Sequence, residues 1–148
     1  MMRRKLLPLV LAAACLVLTG CGYSKPEIHS MMGLNINSIT TVCGTDCTID
    51  DIDVNTVDEH VAATYVYTNV AGGNGITDAG IRDARKYHEY LSSLSSCVKI
   101  DDFDEEKGSY NAYFRVSDKI NEGFLMKVSF TKDTYTVHIE DNANLEEV

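Results

Sequence analysis

The chain has 148 residues with 22 acidic against 13 basic side chains, a formal net charge of −9. So acidic a protein is a poor partner for nucleic acid, which is bound through lysine and arginine displacing counterions, and an anionic lipid face would repel it too. The length suits one domain with its own core and is too short for two lobes closing over a solute.

Arg3, Arg4 and Lys5 precede an apolar run from Leu6 to Leu18, and small residues then lead to Cys21. A basic stretch, an apolar stretch and a small-residue exit are the layout of a secretory signal. The apolar run has 13 residues and contains Pro8; at ~1.5 Å per residue it spans roughly 20 Å, short of the ~30 Å hydrocarbon core that a retained transmembrane helix must cross. Leu18-Thr19-Gly20-Cys21 resembles the lipobox of bacterial prolipoproteins, a family in which the cysteine thiol receives a diacylglyceryl group before a dedicated peptidase cuts in front of it. The resemblance implies that residues 1–20 are a signal peptide and that Cys21 is the acylated first residue of a lipoprotein, anchored to the membrane by two or three chains of the palmitate type. It also implies an extracytoplasmic location in a bacterial envelope. Gly22 matches the pattern sent on to the outer membrane in bacteria with two membranes; with one membrane, the protein would sit on the outer leaflet of the cell membrane.

Loss of residues 1–20 removes three of the 13 basic residues and leaves 10 against 22 acidic ones, a net charge of −12. Of five cysteines, Cys15 departs and Cys21 is acylated, so Cys43, Cys47 and Cys97 remain. An oxidising compartment permits one bridge among them, and Gly44 gives Cys43-Gly-Thr-Asp-Cys47 the freedom a tight ring needs. The expectation is a Cys43–Cys47 disulfide with Cys97 free and largely buried.

Residues 21–34 show no sustained period and read as a lipidated N-terminus and tether, with a single domain over 35–148. Alternation over 35–42 predicts a weak strand, and the acidic stretch Thr48 to Glu59 predicts a surface connection. Val61 to Val70 is apolar on both faces, as an interior strand would be. After Ala71-Gly-Gly-Asn-Gly75 the period changes: Gly80, Ala84, Tyr87, Leu91 and Leu94 form one stripe of an amphipathic helix that Thr77 or Asp78 could cap. A short strand at Val98 to Ile100 follows. Three alternating segments, 110–117, 124–131 and 135–140, then predict a meander joined by short turns. The expected fold is α+β in two layers, one helix packed on an antiparallel sheet with a C-terminal meander. This order of elements resembles cystatin-like folds.

Motifs that carry chemistry are incomplete. Gly73-Asn-Gly75 lacks the third glycine of a dinucleotide loop, with Asp78 standing where pyrophosphate would sit. His88-Glu89 lacks the second zinc-ligating histidine, and Asp51-Ile-Asp53-Val-Asn55 lacks the glycine and the closing glutamate of a calcium loop. No metal, cofactor or catalytic set is expected. Two functions of different class follow: a membrane-tethered, non-catalytic binding module of accessory, inhibitory or immunity type, or a copper- or thiol-handling envelope protein using Cys43 and Cys47, since soft sulfur favours Cu(I). For the binding module, the pleat predicts that Phe114, Val116, Met126, Val128, Val137 and Ile139 face the helix. Tyr113, Arg115, Leu125, Lys127, Thr136 and His138 then face away, and Tyr113, Arg115, Lys127 and His138 are the candidate contacts for an envelope or extracellular protein.

Overall fold

A computed structural model describes residues 23–57, 59–73, 75–116 and 122–141. Its elements are β1 (Ile28–Met31), β2 (Leu34–Asn37), α1 (Ile39–Cys43), β3 (Asp46–Val57), β4 (His60–Ala71), α2 (Ala79–Ser93), β5 (Cys97–Ile100), β6 (Ser109–Arg115), β7 (Gly123–Phe130) and β8 (Tyr135–Asp141). Six strands form one antiparallel sheet in the order β3-β4-β8-β7-β6-β5, and β1 with β2 makes a separate hairpin. The fold is α+β. The meander of β6, β7 and β8 pairs as its alternation predicts, and β4 lies inside the sheet between β3 and β8.

α2 must travel from beside β4, second in the sheet, to β5 at the far edge. Four strand spacings are ~19 Å, and the 15-residue helix rises roughly 22 Å, so one helix crosses the sheet obliquely without a long loop. It buries Ala79, Gly80, Asp83, Ala84, Tyr87 and Leu91. Against them stand Tyr67, Tyr110, Ala112, Phe114, Phe124, Met126, Val128, Tyr135, Val137 and Ile139, all buried. The six sheet residues expected to face the helix are thus buried, Val116 only partly. Two tyrosine hydroxyls find partners in this layer: Tyr110 donates to the Ala84 carbonyl at 2.9 Å, and Tyr87 to the Asn37 carbonyl at 2.9 Å, while the buried Tyr67 hydroxyl has none among the described residues. The Asn37 amide in turn donates to the Tyr90 hydroxyl at 3.1 Å, so two rings of α2 hold β2 by its backbone.

Three local expectations are corrected. Residues 38–43 do not continue a strand, because Ser38 accepts a hydrogen bond from the Thr41 amide at 3.2 Å and turns the chain into α1. Gly44, at φ 65°, ends that helix. Residues 48–57 of the acidic stretch are not a surface connection; they lie within β3, a 12-residue edge strand that turns Ile49, Ile52 and Val54 inward. A register shift between Ile49 and Asp51 breaks the two-residue period there, which hid the strand from a reading by alternation. Residues 28–34, expected in the tether, belong to the β1–β2 hairpin, whose turn at Met32 (φ 52°) and Gly33 (φ 83°) has the positive φ pair of a type I′ turn. Tyr23 also packs against the core, so the ordered domain begins before residue 35. The capping expectation fares differently: Asp78 occupies the N-cap of α2 but makes no side-chain cap hydrogen bond.

At the start of α2, Gly80 lies directly on the β7–β8 turn. Its amide donates to the Lys132 carbonyl at 2.8 Å, and a Cβ there would stand 2.3 Å from the Thr131 carbonyl oxygen. Helix propensity alone makes glycine to alanine a gain of about 1 kcal/mol. Here the obstacle is backbone and cannot swing aside, so Gly80→Ala is expected to destabilise the protein by ~2 kcal/mol or more. Urea unfolding of the two proteins checks this, and the sign of the change alone separates the two effects.

Candidate binding face on the open side of the sheet

No helix covers the other face of the sheet among the described residues, and the register places the candidate contacts on it. Tyr113 pairs with Leu125 on one side and Lys99 on the other, and Arg115 pairs with Gly123. Lys127 lies between Asn111 and His138, and His138 between Lys127 and Thr64. The four therefore share one surface, built by the rigid centre of the sheet and not by loops. Tyr113 and His138 are half-buried, while Arg115 and Lys127 are exposed.

The side chains divide the face by charge. Lys99, Arg115 and Lys127 stand on β5, β6 and β7, with the Lys99 ammonium 5.9 Å from the centre of the Tyr113 ring. At the opposite edge Asp51 and Asp53 of β3 pair with Val66 and Thr64 and so point the same way. Between them His138 is held at both ring nitrogens, Nδ1 at 2.8 Å from the Thr64 hydroxyl and Nε2 at 3.2 Å from Glu140 Oε2. The sequence does not single out Thr64, Glu140 or Lys99, and it offers Asp53 only within the incomplete calcium loop.

A hydroxyl, an imidazole and a carboxylate in series have the order of a hydrolytic triad, but the surroundings do not fit one. The backbone amides of β4 and β8 are engaged in strand pairing, so no donor pair is aimed at an oxyanion. Nor does the face enclose its substrate space: a shallow pocket of about 200 Å³ lies beside it, lined by residues of the β3–β4 hairpin end with Glu140 and Asp141. What this surface offers is an ordered set of hydrogen-bonding groups with a cationic and an anionic border.

The thiols tell a different story. The expected Cys43–Cys47 bridge is not formed, and Cys43, Cys47 and Cys97 are all free. The α1 end and the Gly44 turn send the sulfurs to different neighbours: Cys43 Sγ to the Asp83 carbonyl at 3.4 Å, Cys47 Sγ to the Tyr135 hydroxyl at 3.8 Å. Burial, with the Asp83 carboxylate second, pushes the Cys43 thiol up to about 12, and burial raises Cys47 as well. Thiolate is the form that binds Cu(I) or attacks a disulfide, and both sites disfavour it. Among the described residues no three His, Cys, Asp or Glu side chains are grouped to hold a metal ion. Cys97 is half-buried near the end of α2, and Cys21 lies outside the described residues. Compared with known proteins, the chain matches no family model, no curated protein and no solved structure.

One buried titratable group lies behind the sheet's other face. His29 of β1 is 2% exposed, its ring 4.6 Å from that of Tyr65, and neither ring nitrogen has a hydrogen-bond partner among the described residues. Burial alone lowers its pKa from 6.5 to about 4. The folded state therefore prefers the neutral ring: its stability is full above pH 6.5, falls as pH drops through the window down to about 4, and is lower by on the order of 3 kcal/mol beneath it. His29→Leu is expected to flatten that part of the stability profile and to leave stability at pH 7.5 within ~1 kcal/mol of the original. Chemical denaturation at a series of pH values measures both.

Proposed function

We propose that the protein is a membrane-tethered, extracytoplasmic bacterial lipoprotein whose domain is a non-catalytic binding module of accessory, inhibitory or immunity type, presenting the open sheet face to an envelope protein. The observation that carries the binding reading is the collection of Tyr113, Arg115, Lys127 and His138 on one uncovered face of a chain whose net charge is −9. Charge of the minority sign, gathered beside an aromatic ring on rigid strands, is a surface for recognition, since tyrosine and arginine are enriched where interfaces concentrate their energy. The anchoring reading rests on Leu18-Thr19-Gly20-Cys21. On this reading a lipid at Cys21 supplies the attachment; among the described residues no helix is long and apolar enough to cross a membrane. The cystatin-like order of elements is kept as an analogy of fold and carries no activity.

Two variants test the two halves independently. Cys21→Ser is expected to move the protein from the detergent phase to the aqueous phase and to leave the precursor uncut; unchanged partitioning and mass would refute the anchor. Tyr113→Ala with Arg115→Ala is expected to weaken the complex with a cross-linked envelope partner by ~2 kcal/mol or more while the unfolding midpoint moves little. Equal affinity in the two proteins would remove this face from consideration.

A further inference from the structure

One row of side chains across the open face is its own complement. Reading from the β3 edge inward, Asp53 pairs with Thr64, Thr64 with His138, and His138 with Lys127. The row runs anion, hydroxyl, imidazole, cation. A two-fold axis parallel to the strands and midway between β4 and β8 turns that row onto itself in reverse, so that each Asp53 meets the other copy's Lys127 and each Thr64 meets the other copy's His138. In the next row, Asp51–Val66–Thr136–Ser129, the same operation sets Val66 against Thr136 and Asp51 against Ser129, so the charge match belongs to the first row. We propose that the β3–β4–β8–β7 part of this face binds a second copy of the chain about that axis. The inference rests on reading the face as a binding surface and names its partner.

Three further observations fit this occupant. On this face Asp53 and Lys127 stand at opposite borders, and an inverted copy of the same face brings these two charges against each other, which locally offsets the repulsion between two chains of net charge −9. Neither Asp53 nor Lys127 has an ion-pair partner among the described residues; Asp53 accepts only from the Asn55 amide, at 2.9 Å. Four strands at ~4.8 Å spacing and about seven residues at ~3.4 Å give roughly 450 Å² per copy, about 900 Å² in all before side-chain relief is counted. That lies below the ~1,200 Å² at which stable specific interfaces begin, so the dimer is weak and concentration-dependent. Twisted sheets pack face to face with their strands within about 30° of each other, which the axis permits.

The test uses the full chain in a mild detergent and a carbodiimide, which joins only a carboxylate and an amine already in contact. Within one copy Asp53 and Lys127 are three strand spacings apart, roughly 14 Å, beyond a zero-length bond. An Asp53–Lys127 linked peptide in a dimer band, growing with protein concentration, is the expected result. Asp53→Lys alone and Lys127→Asp alone should each lower the dimer yield at least tenfold, and the two together in one chain should restore it with the linkage reversed. Absence of dimer up to ~1 mM protein, the weak limit of measurable association, a dimer linked through other residues, or no recovery in the doubly exchanged chain would each overturn the proposal. Should Lys127 instead couple to a different protein and Tyr113→Ala with Arg115→Ala still weaken that complex, the second copy is excluded while the binding face stands. If neither dimer nor complex responds to any of these substitutions, both readings fail together.

Discussion

Everything in this domain is set by how closely the first turn of α2 lies on the turn between β7 and β8. Gly80 has no side chain, and its amide reaches the Lys132 carbonyl at 2.8 Å. The Val70 amide is bound by the Asp133 carbonyl in the same turn, at 2.9 Å. One short turn thereby fixes the end of β4 and the start of α2. With its N-terminus fixed there, the helix can bury its tyrosine and leucine stripe only by running across β8, β7 and β6. Any side chain at position 80 would lift the helix from the sheet and open the layer in which Tyr87, Tyr110 and Tyr135 are wholly buried. The open face follows from this as well. A helix held against one side leaves the other without a covering layer, and the strands must then carry alternating apolar and polar residues.

That alternation is why so much of the fold was legible in the sequence. In β6, β7 and β8 every second residue is buried from Tyr110 to Phe114, from Phe124 to Phe130 and from Tyr135 to Ile139, so the period of two survives through the body of each strand. The helix was equally plain, apart from Asp83, which is charged, lies off the apolar stripe, and yet is buried because α1 packs on that flank. Legibility ended where one residue changes the phase. Ser38 captures the Thr41 amide and diverts a β-branched run into a helical turn, a competition that propensity does not reveal. The shift between Ile49 and Asp51 does the same within β3, where the inward positions fall out of step with their neighbours.

The candidate face was legible to the same depth and no further. Tyr113, Arg115, Lys127 and His138 could be assigned to one side from the pleat alone, because each lies in a strand with an unbroken period. Thr64 and Asp53 could not, since their relation to His138 depends on β4 pairing with β8 and β3 pairing with β4. Thr64 and His138 lie 74 residues apart, and nothing in either segment announces the other. The thiols were misread for a related reason. Spacing of four residues made a bridge plausible, but the turn at Gly44 faces one sulfur toward α2 and the other toward β8.

The aspartates of β3 have a second meaning, at the edge of the sheet. β3 ends the sheet, and the outward-facing amides and carbonyls of this 12-residue strand are a template on which a strand of another molecule could add. Asp46, Asp50, Asp51 and Asp53 punctuate that template, and two register shifts bend it out of the flat line a foreign strand would follow. An added strand would lie ~4.8 Å away, inside the ~8 Å screening length of a physiological salt solution. Like charges brought that close are not hidden from each other by dissolved ions. The edge therefore refuses lateral polymerisation by a repulsion that ordinary salt does not switch off, and a crowded population of these molecules has strand addition closed to it by sequence.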